Sequence, residues 1–370
     1  MAIGLSHSGP NVYTSPEPSR EVLVGTRDGV TIVERAGDGW RVAHRALTDR
    51  HISAIVVEPD SGTIFAGAFF DGGIHASTDG GRTWEARETG LSIKHVFSMA
   101  AARLDGHVRL FAGTEPAHLF YSDDLGHHWT EMPSLRDVPT VETWSFPAPP
   151  HVAHTKFITF DPHDSRTIYA CIEQGALLRS TDAGQTWREL NTIGYYRDKD
   201  RPREVFYDVH KAVIDPRDPR RIFASGGAGL YVSLDGGQQW ERRMAAGWAD
   251  DVYPDALVMH PRQPDVMFVG AAEHNPATWH SSHSAGGKIY RSTDGARTWE
   301  RLCHGLPDET TQEFGALCLE DWGDSFSVFA ATTGGEVYAS DDGGEHWALI
   351  VRDLAPVSKV HHYRLIEAGA

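Results

Sequence analysis

One pattern, Ser-x-Asp-x-Gly-x-x-Trp, recurs six times along the 370 residues and constrains the fold more than any other feature. It runs from Ser77 to Trp84, Ser122 to Trp129, Ser180 to Trp187, Ser233 to Trp240, Ser292 to Trp299 and Ser340 to Trp347. The fifth copy carries Ala296 in place of the glycine, and Gly37-Asp38-Gly39-Trp40 reads as a degenerate seventh. The chemistry is that of a hairpin turn. The carboxylate accepts bonds from turn amides, glycine supplies a positive φ, and tryptophan opens the next strand with a large apolar face. The seven tryptophans lie 44 to 59 residues apart, the length of one four-stranded sheet with variable loops.

Each interval reads as four short strands. Between Trp40 and Trp84 stand His51–Glu58, Thr63–Gly67 and Gly73–Ala76, with the fourth strand opening at Trp84. Seven such units predict an all-β, seven-bladed propeller of four-stranded antiparallel blades, with residues 21–370 as one domain and residues 1–20 as a tail. The first unit lacks an innermost strand, whereas Val357–Ile366 reads as a strand without a blade. The expectation is therefore that the C-terminal strand joins blade 1 and closes the ring, removing two open sheet edges.

The six turns resemble the Asp-box, or BNR, repeat of sialidases, sortilin-type receptors, xyloglucanases and photosystem assembly factors. The resemblance covers nearly the whole chain and implies the propeller fold. It implies little about activity, because in those families the box is a structural turn away from the active site. The Arg-Ile-Pro motif and arginine triad of sialidases are missing.

Charge narrows the partners. With 34 Lys plus Arg against 51 Asp plus Glu, the net charge is −17, which repels phosphate backbones and anionic membranes. Three cysteines form no disulfide framework and residues 1–20 contain no apolar leader, so a cytoplasmic location is expected.

In this topology the loops joining the fourth strand to the next blade, and the second strand to the third, share one face. The long segments 132–151, 190–208 and 272–287 fall there. Aligning the innermost strands by the residues that end them places His51, His95, His154, Asp208, Tyr253 and Glu313 at one level. Lys156, His210, Asp255 and His362 stand two residues further in. Loop glutamates Glu115, Glu173 and Glu273 occupy matching positions behind them.

Imidazoles backed by carboxylates suit a transition metal, so His51, His95, His154, His210 and His362 are the expected ligands and the three glutamates their support. Iron, zinc, manganese and copper are not distinguished. The layout is similar in outline to the four-histidine iron site of carotenoid oxygenases. Asp208, Asp255, Glu313 and Tyr253 are the candidate acid–base groups. Trp144, Tyr195, Tyr196, Arg197, His274 and Trp279, on the long loops, are the candidate substrate contacts. The leading expectation is a metal-dependent hydrolase, lyase or oxygenase for a small organic molecule. A glycoside hydrolase using paired carboxylates is the first alternative and a binding or assembly scaffold the second.

Overall fold

The computed structural model describes residues 2–37, 39–147, 149–190, 208–227, 229–248 and 252–367. Seven twisted sheets, each with four consecutive antiparallel strands or three plus a borrowed one, stand around a central channel as a seven-bladed propeller. Blade 2 illustrates the unit, with strands Ile52–Val57, Ile64–Ala68, Gly73–Ser77 and Glu85–Ala86, close to the sequence expectation. The innermost strands are buried on both faces and read as continuous apolar or polar-buried runs. The outermost are short or exposed.

Cohesion comes from the clefts between blades. Phe111 and Leu119 of blade 3 pack with Ile158, Ile168 and Leu178 of blade 4, and Val258 and Phe268 of blade 6 with Leu317, Val328 and Trp347 of blade 7. Each such side chain contributes about 1.5–3 kcal/mol on burial. The six Ser-x-Asp turns join the third and fourth strands of blades 2 to 7. In the first, Ser77 Oγ lies 2.8 Å from Asp79 Oδ1 and accepts the Gly81 amide at 2.8 Å, while Asp79 accepts the Thr83 amide at 2.9 Å. Ala296 adopts φ +62° and its amide still reaches Ser292 Oγ at 2.9 Å, so the alanine copy keeps the turn at the cost of left-handed backbone.

Ring closure differs from the expectation. Ile3–Leu5 forms the inner strand of blade 1, parallel to Glu21–Thr26, and Val12–Ser15 adds a fifth strand to blade 7, parallel to Ala316–Trp322. Residues 3–15 are thus no tail. Between the two strands the chain crosses the channel, with the Ser8 amide on Ser53 O, Asn11 Nδ2 on Leu257 O and Lys211 Nζ on His7 O. The crossing is tight enough that a Cβ at Gly9 would lie 2.6 Å from Ile55 O. Residues 357–366 form no strand. The Arg27 amide bonds Pro356 O, and the chain then turns into a short helix, His362–Ile366, over the loop end of the channel. Both termini carry apolar residues that could fill the vacant strand position. Ile3 and Leu5 fill it because Val22, Val24, Ala316 and Phe329 bury them completely.

Candidate functional site

Inner strands and second-to-third strand loops bring a cluster of charged side chains together beneath the C-terminal helix. Glu173, which ends the strand Ile168–Glu173, is its hub. Its Oε2 accepts His154 Nε2 at 2.5 Å, and its Oε1 pairs with Lys359 Nζ and lies 3.5 Å from Lys156 Nζ, 3.3 Å from Tyr253 Oη and 3.5 Å from His210 Nε2. Lys156 Nζ lies 2.5 Å from Asp255 Oδ1, and His7 Nε2 donates to Asp255 Oδ2 at 2.7 Å. On the outward side His154 Nδ1 lies 3.2 Å from Glu115 Oε2, and His95 Nδ1 lies 3.5 Å from Glu115 Oε1.

These ions are buried, so each survives only through its partners. Burial opposes ionisation of Glu173 and Asp255, yet the Lys156 ammonium, joined by Lys359 at Glu173 and by His7 at Asp255, holds both carboxyls well below their usual range. Burial brings the Lys211 ammonium down to about 8 and the His7 imidazole down to about 3. Glu313 behaves oppositely. Burial and the Asp255 charge push it up to about 8, so its carboxyl is protonated at neutral pH. Its Oε2 lies 3.3 Å from His362 Nδ1, and its Oε1 makes no hydrogen bond.

The sequence-predicted histidines do converge on the loop end of the channel, but not as one ligand set. His154 and His210 flank Glu173, His95 stands outside Glu115, His51 Nε2 bonds Ser358 O at 3.0 Å and His362 faces Glu313. Among the described residues, the group whose ligand atoms lie within 4.8 Å of one another is Glu173, Asp208 and His210, with a single imidazole. Glu115 stands between His95 and His154, and Glu173 lies at the centre of the cluster between His154 and His210. Glu273 joins neither: it is exposed, with its Oε1 3.4 Å from Lys288 Nζ and its carboxylate against Gly286. Tyr253 is buried against Lys359, which donates to its hydroxyl at 2.9 Å, and burial raises it well above the usual phenol range, so it is no base at neutral pH.

Of the candidate substrate contacts, Trp279 is fully buried between Tyr253 and His362 and forms an inner wall, its indole donating to His274 O. Trp144 is half-buried, with its indole on Thr140 Oγ1, and His274 is exposed. Tyr195, Tyr196 and Arg197 lie outside the described residues. Sequence reasoning missed Lys359, which was placed on a strand, and His7, which was placed in a tail. It also missed Phe70, one of the exposed large apolar side chains. The Phe69-Phe70-Asp71-Gly72-Gly73 run, an aromatic pair in a loop on the expected ligand face, was the available signal.

No family model matches the chain. The chain is similar to the xyloglucanase Xgh74A of Acetivibrio thermocellus, 25% identical over 287 residues that cover 66% of this chain and 31% of that protein. It therefore spans about a third of the length of that relative. Among solved structures, an ancestral GH74 enzyme superposes with a TM-score of 0.61 at 18% identity, over 82% of this chain and 39% of that one. YCF48 from Cyanidioschyzon merolae superposes at 0.53 with 16% identity, over 88% and 97%. The likenesses to solved structures establish the propeller fold. The similarity to xyloglucanases overturns the expectation of a metal-dependent enzyme for a small organic molecule. The geometry gives a physical reason for the misreading: the residues that look like ligands from their spacing surround two ammonium groups, and the carboxylates between them are engaged in ion pairs.

Proposed function

We propose that the protein is a glycoside hydrolase acting on a neutral polysaccharide or oligosaccharide of the xyloglucan class, bound across the loop end of the channel. The observation that carries the reading is the 287-residue similarity to xyloglucanases. Two carboxyls at that end of the channel support it. Glu313, pushed up to about 8 by burial and the Asp255 charge, is the proton donor to the leaving oxygen, and Asp208 is the second carboxyl of the pair. Asp208 is part-exposed, lies 3.5 Å from His210 Nε2, and keeps its Oδ1 without a hydrogen bond. Lys156, Lys359 and Glu173 hold the inner strands in place around the two carboxyls. Asp255, ion-paired to Lys156, acts by its charge, which keeps Glu313 protonated.

The test is reducing-end release from xyloglucan and its oligosaccharides by the wild-type chain, Glu313→Gln and Asp208→Asn. Either substitution is expected to lower kcat by about 10²–10⁴-fold. Absence of glycan hydrolysis by the wild type, with the fold intact, would refute the reading. One observation favours a second reading, a non-enzymatic binding scaffold: residues 3–15 fill the channel and the central carboxylates are ion-paired. The same assay separates the two.

A further inference from the structure

The second-to-third strand loop of blade 2 exposes an apolar ring at an energetic cost. Phe70 and Asp71 stand at φ +55° and +58°, a left-handed conformation that crowds a residue with a Cβ against its own backbone. The result is a phenyl ring 46% exposed at the loop end of the channel. Among the described residues, the other exposed large apolar side chains, Leu234 and Leu349, belong to a Ser-x-Asp turn and to an outermost strand. Phe69 is locked beneath Phe70 between His51 and Phe97, and the Gly72 amide closes the turn on Phe69 O.

The surroundings of the ring are specific. The His361 imidazole stacks on it at 4.8 Å and 22°, and the His95 ring lies 5.5 Å away. His95 leads to Glu115, which is part-exposed, with His95 Nδ1 3.5 Å from Glu115 Oε1 and the buried His95 Nε2 turned away from solvent. Burial holds both imidazoles below their usual range, so they stay neutral near pH 7, and Glu115 stays ionised. An apolar platform bordered by a neutral imidazole and a carboxylate suits a ligand with one C–H face and hydroxyl groups on its rim. The net charge of −17 favours a neutral ligand over an anionic one.

We infer that Phe70, backed by His361, is a stacking platform for a neutral pyranose ring whose hydroxyls meet the Glu115 carboxylate. This extends the glycoside hydrolase reading by assigning a sugar-binding subsite to blade 2. The strained turn is what keeps the ring presented.

The experiment measures binding and hydrolysis separately, by titration calorimetry with xyloglucan oligosaccharides and by reducing-end release, for wild type, Phe70→Ala, Phe70→Trp and Phe70→Gly. Phe70→Ala is expected to weaken binding about tenfold, Phe70→Trp to keep it, and Phe70→Gly to lose it while melting no lower than wild type. Oligosaccharide binding that is indifferent to Phe70→Ala overturns the platform even if the protein hydrolyses glycans. Phe70-dependent binding without hydrolysis upholds the platform and refutes the enzymatic reading alone. Absence of oligosaccharide binding to the wild type overturns the platform.

Discussion

The Ser-x-Asp turns and the cluster around Glu173 both use carboxylates, and they hold them by opposite means. Asp182 is near the surface, and its partners lie within four residues: the Ser180 hydroxyl, the Gln185 and Thr186 amides and the Thr186 hydroxyl. Glu173 is buried, and its partners come from blades 4, 5 and 6 and from residue 359, 186 positions away. Six near-identical turns are therefore six local solutions to one backbone problem. The cluster is a single solution that exists only when the ring has closed. Loss of one partner should be tolerated in the first case and disruptive in the second.

The severest way to break that comparison is to remove residues 2–15. The deletion takes away the inner strand of blade 1, the fifth strand of blade 7 and the His7 partner of Asp255, and cooperative unfolding in denaturant should disappear. A stable, soluble truncation with a sharp transition would show that the channel segment is dispensable. Next in size, Glu173→Ala leaves Lys156 and Lys359 buried without their shared counter-charge. It should destabilise by about 3–5 kcal/mol, measured by urea denaturation. A loss below about 1 kcal/mol would mean the cluster is softer than its burial implies.

The pH dependence sharpens the contrast further. His7 and His51 are held by burial at about 3, below the unfolded value of 6.5. Their contribution is full above pH 6.5 and is lost as pH falls toward 3. Glu313 runs the other way: raised to about 8 from 4.5, it contributes fully below pH 4.5, and that contribution is lost as pH rises through 8. Thermal melts should therefore fall on both sides of neutrality, and Glu313→Gln should abolish only the alkaline decline. An alkaline decline unchanged in Glu313→Gln would remove Glu313 as its cause.

The smallest expected effect belongs to the turns. Asp182→Ala should cost on the order of 1–2 kcal/mol. Burial opposes ionisation of Asp182, but hydrogen bonds from Thr186 and Ser180 bring it down to about 2. The stability it adds is present above its unfolded value of 3.8 and is lost as pH falls through about 2. Glycan affinity and kcat of the folded fraction should stay at wild-type values. A change in either without a change in melting would tie the turn to the site.

Much of this was legible because it is local or periodic. Tryptophan spacing gave seven blades, and strand offsets placed His154, His210, Glu115 and Glu173 at one end of the channel. What those residues do there was not legible. Spacing put imidazoles in a ring but could not show that Lys156 and Lys359 enter it, since a lysine four methylenes long reaches its partner in a direction that only packing sets. Glu273 occupies the loop position that Glu173 has in its own blade, yet it is exposed beside Lys288, and Trp279, expected as a substrate contact, is buried in the wall.

The sequence by itself determined the repeat, the turn chemistry and the number of sheets, because these depend on contacts within a few residues of one another. Tertiary structure alone decided which terminal segment supplied the inner strand of blade 1, which lysine neutralised which carboxylate, and that Glu313 is protonated while Asp255 is ionised. Those outcomes rest on the free energy of burying specific groups against partners that the closed ring brings together, 186 residues apart for Glu173 and Lys359. Both termini offered an apolar segment for the vacant position, and only the close packing around Ile3 and Leu5 selected one of them.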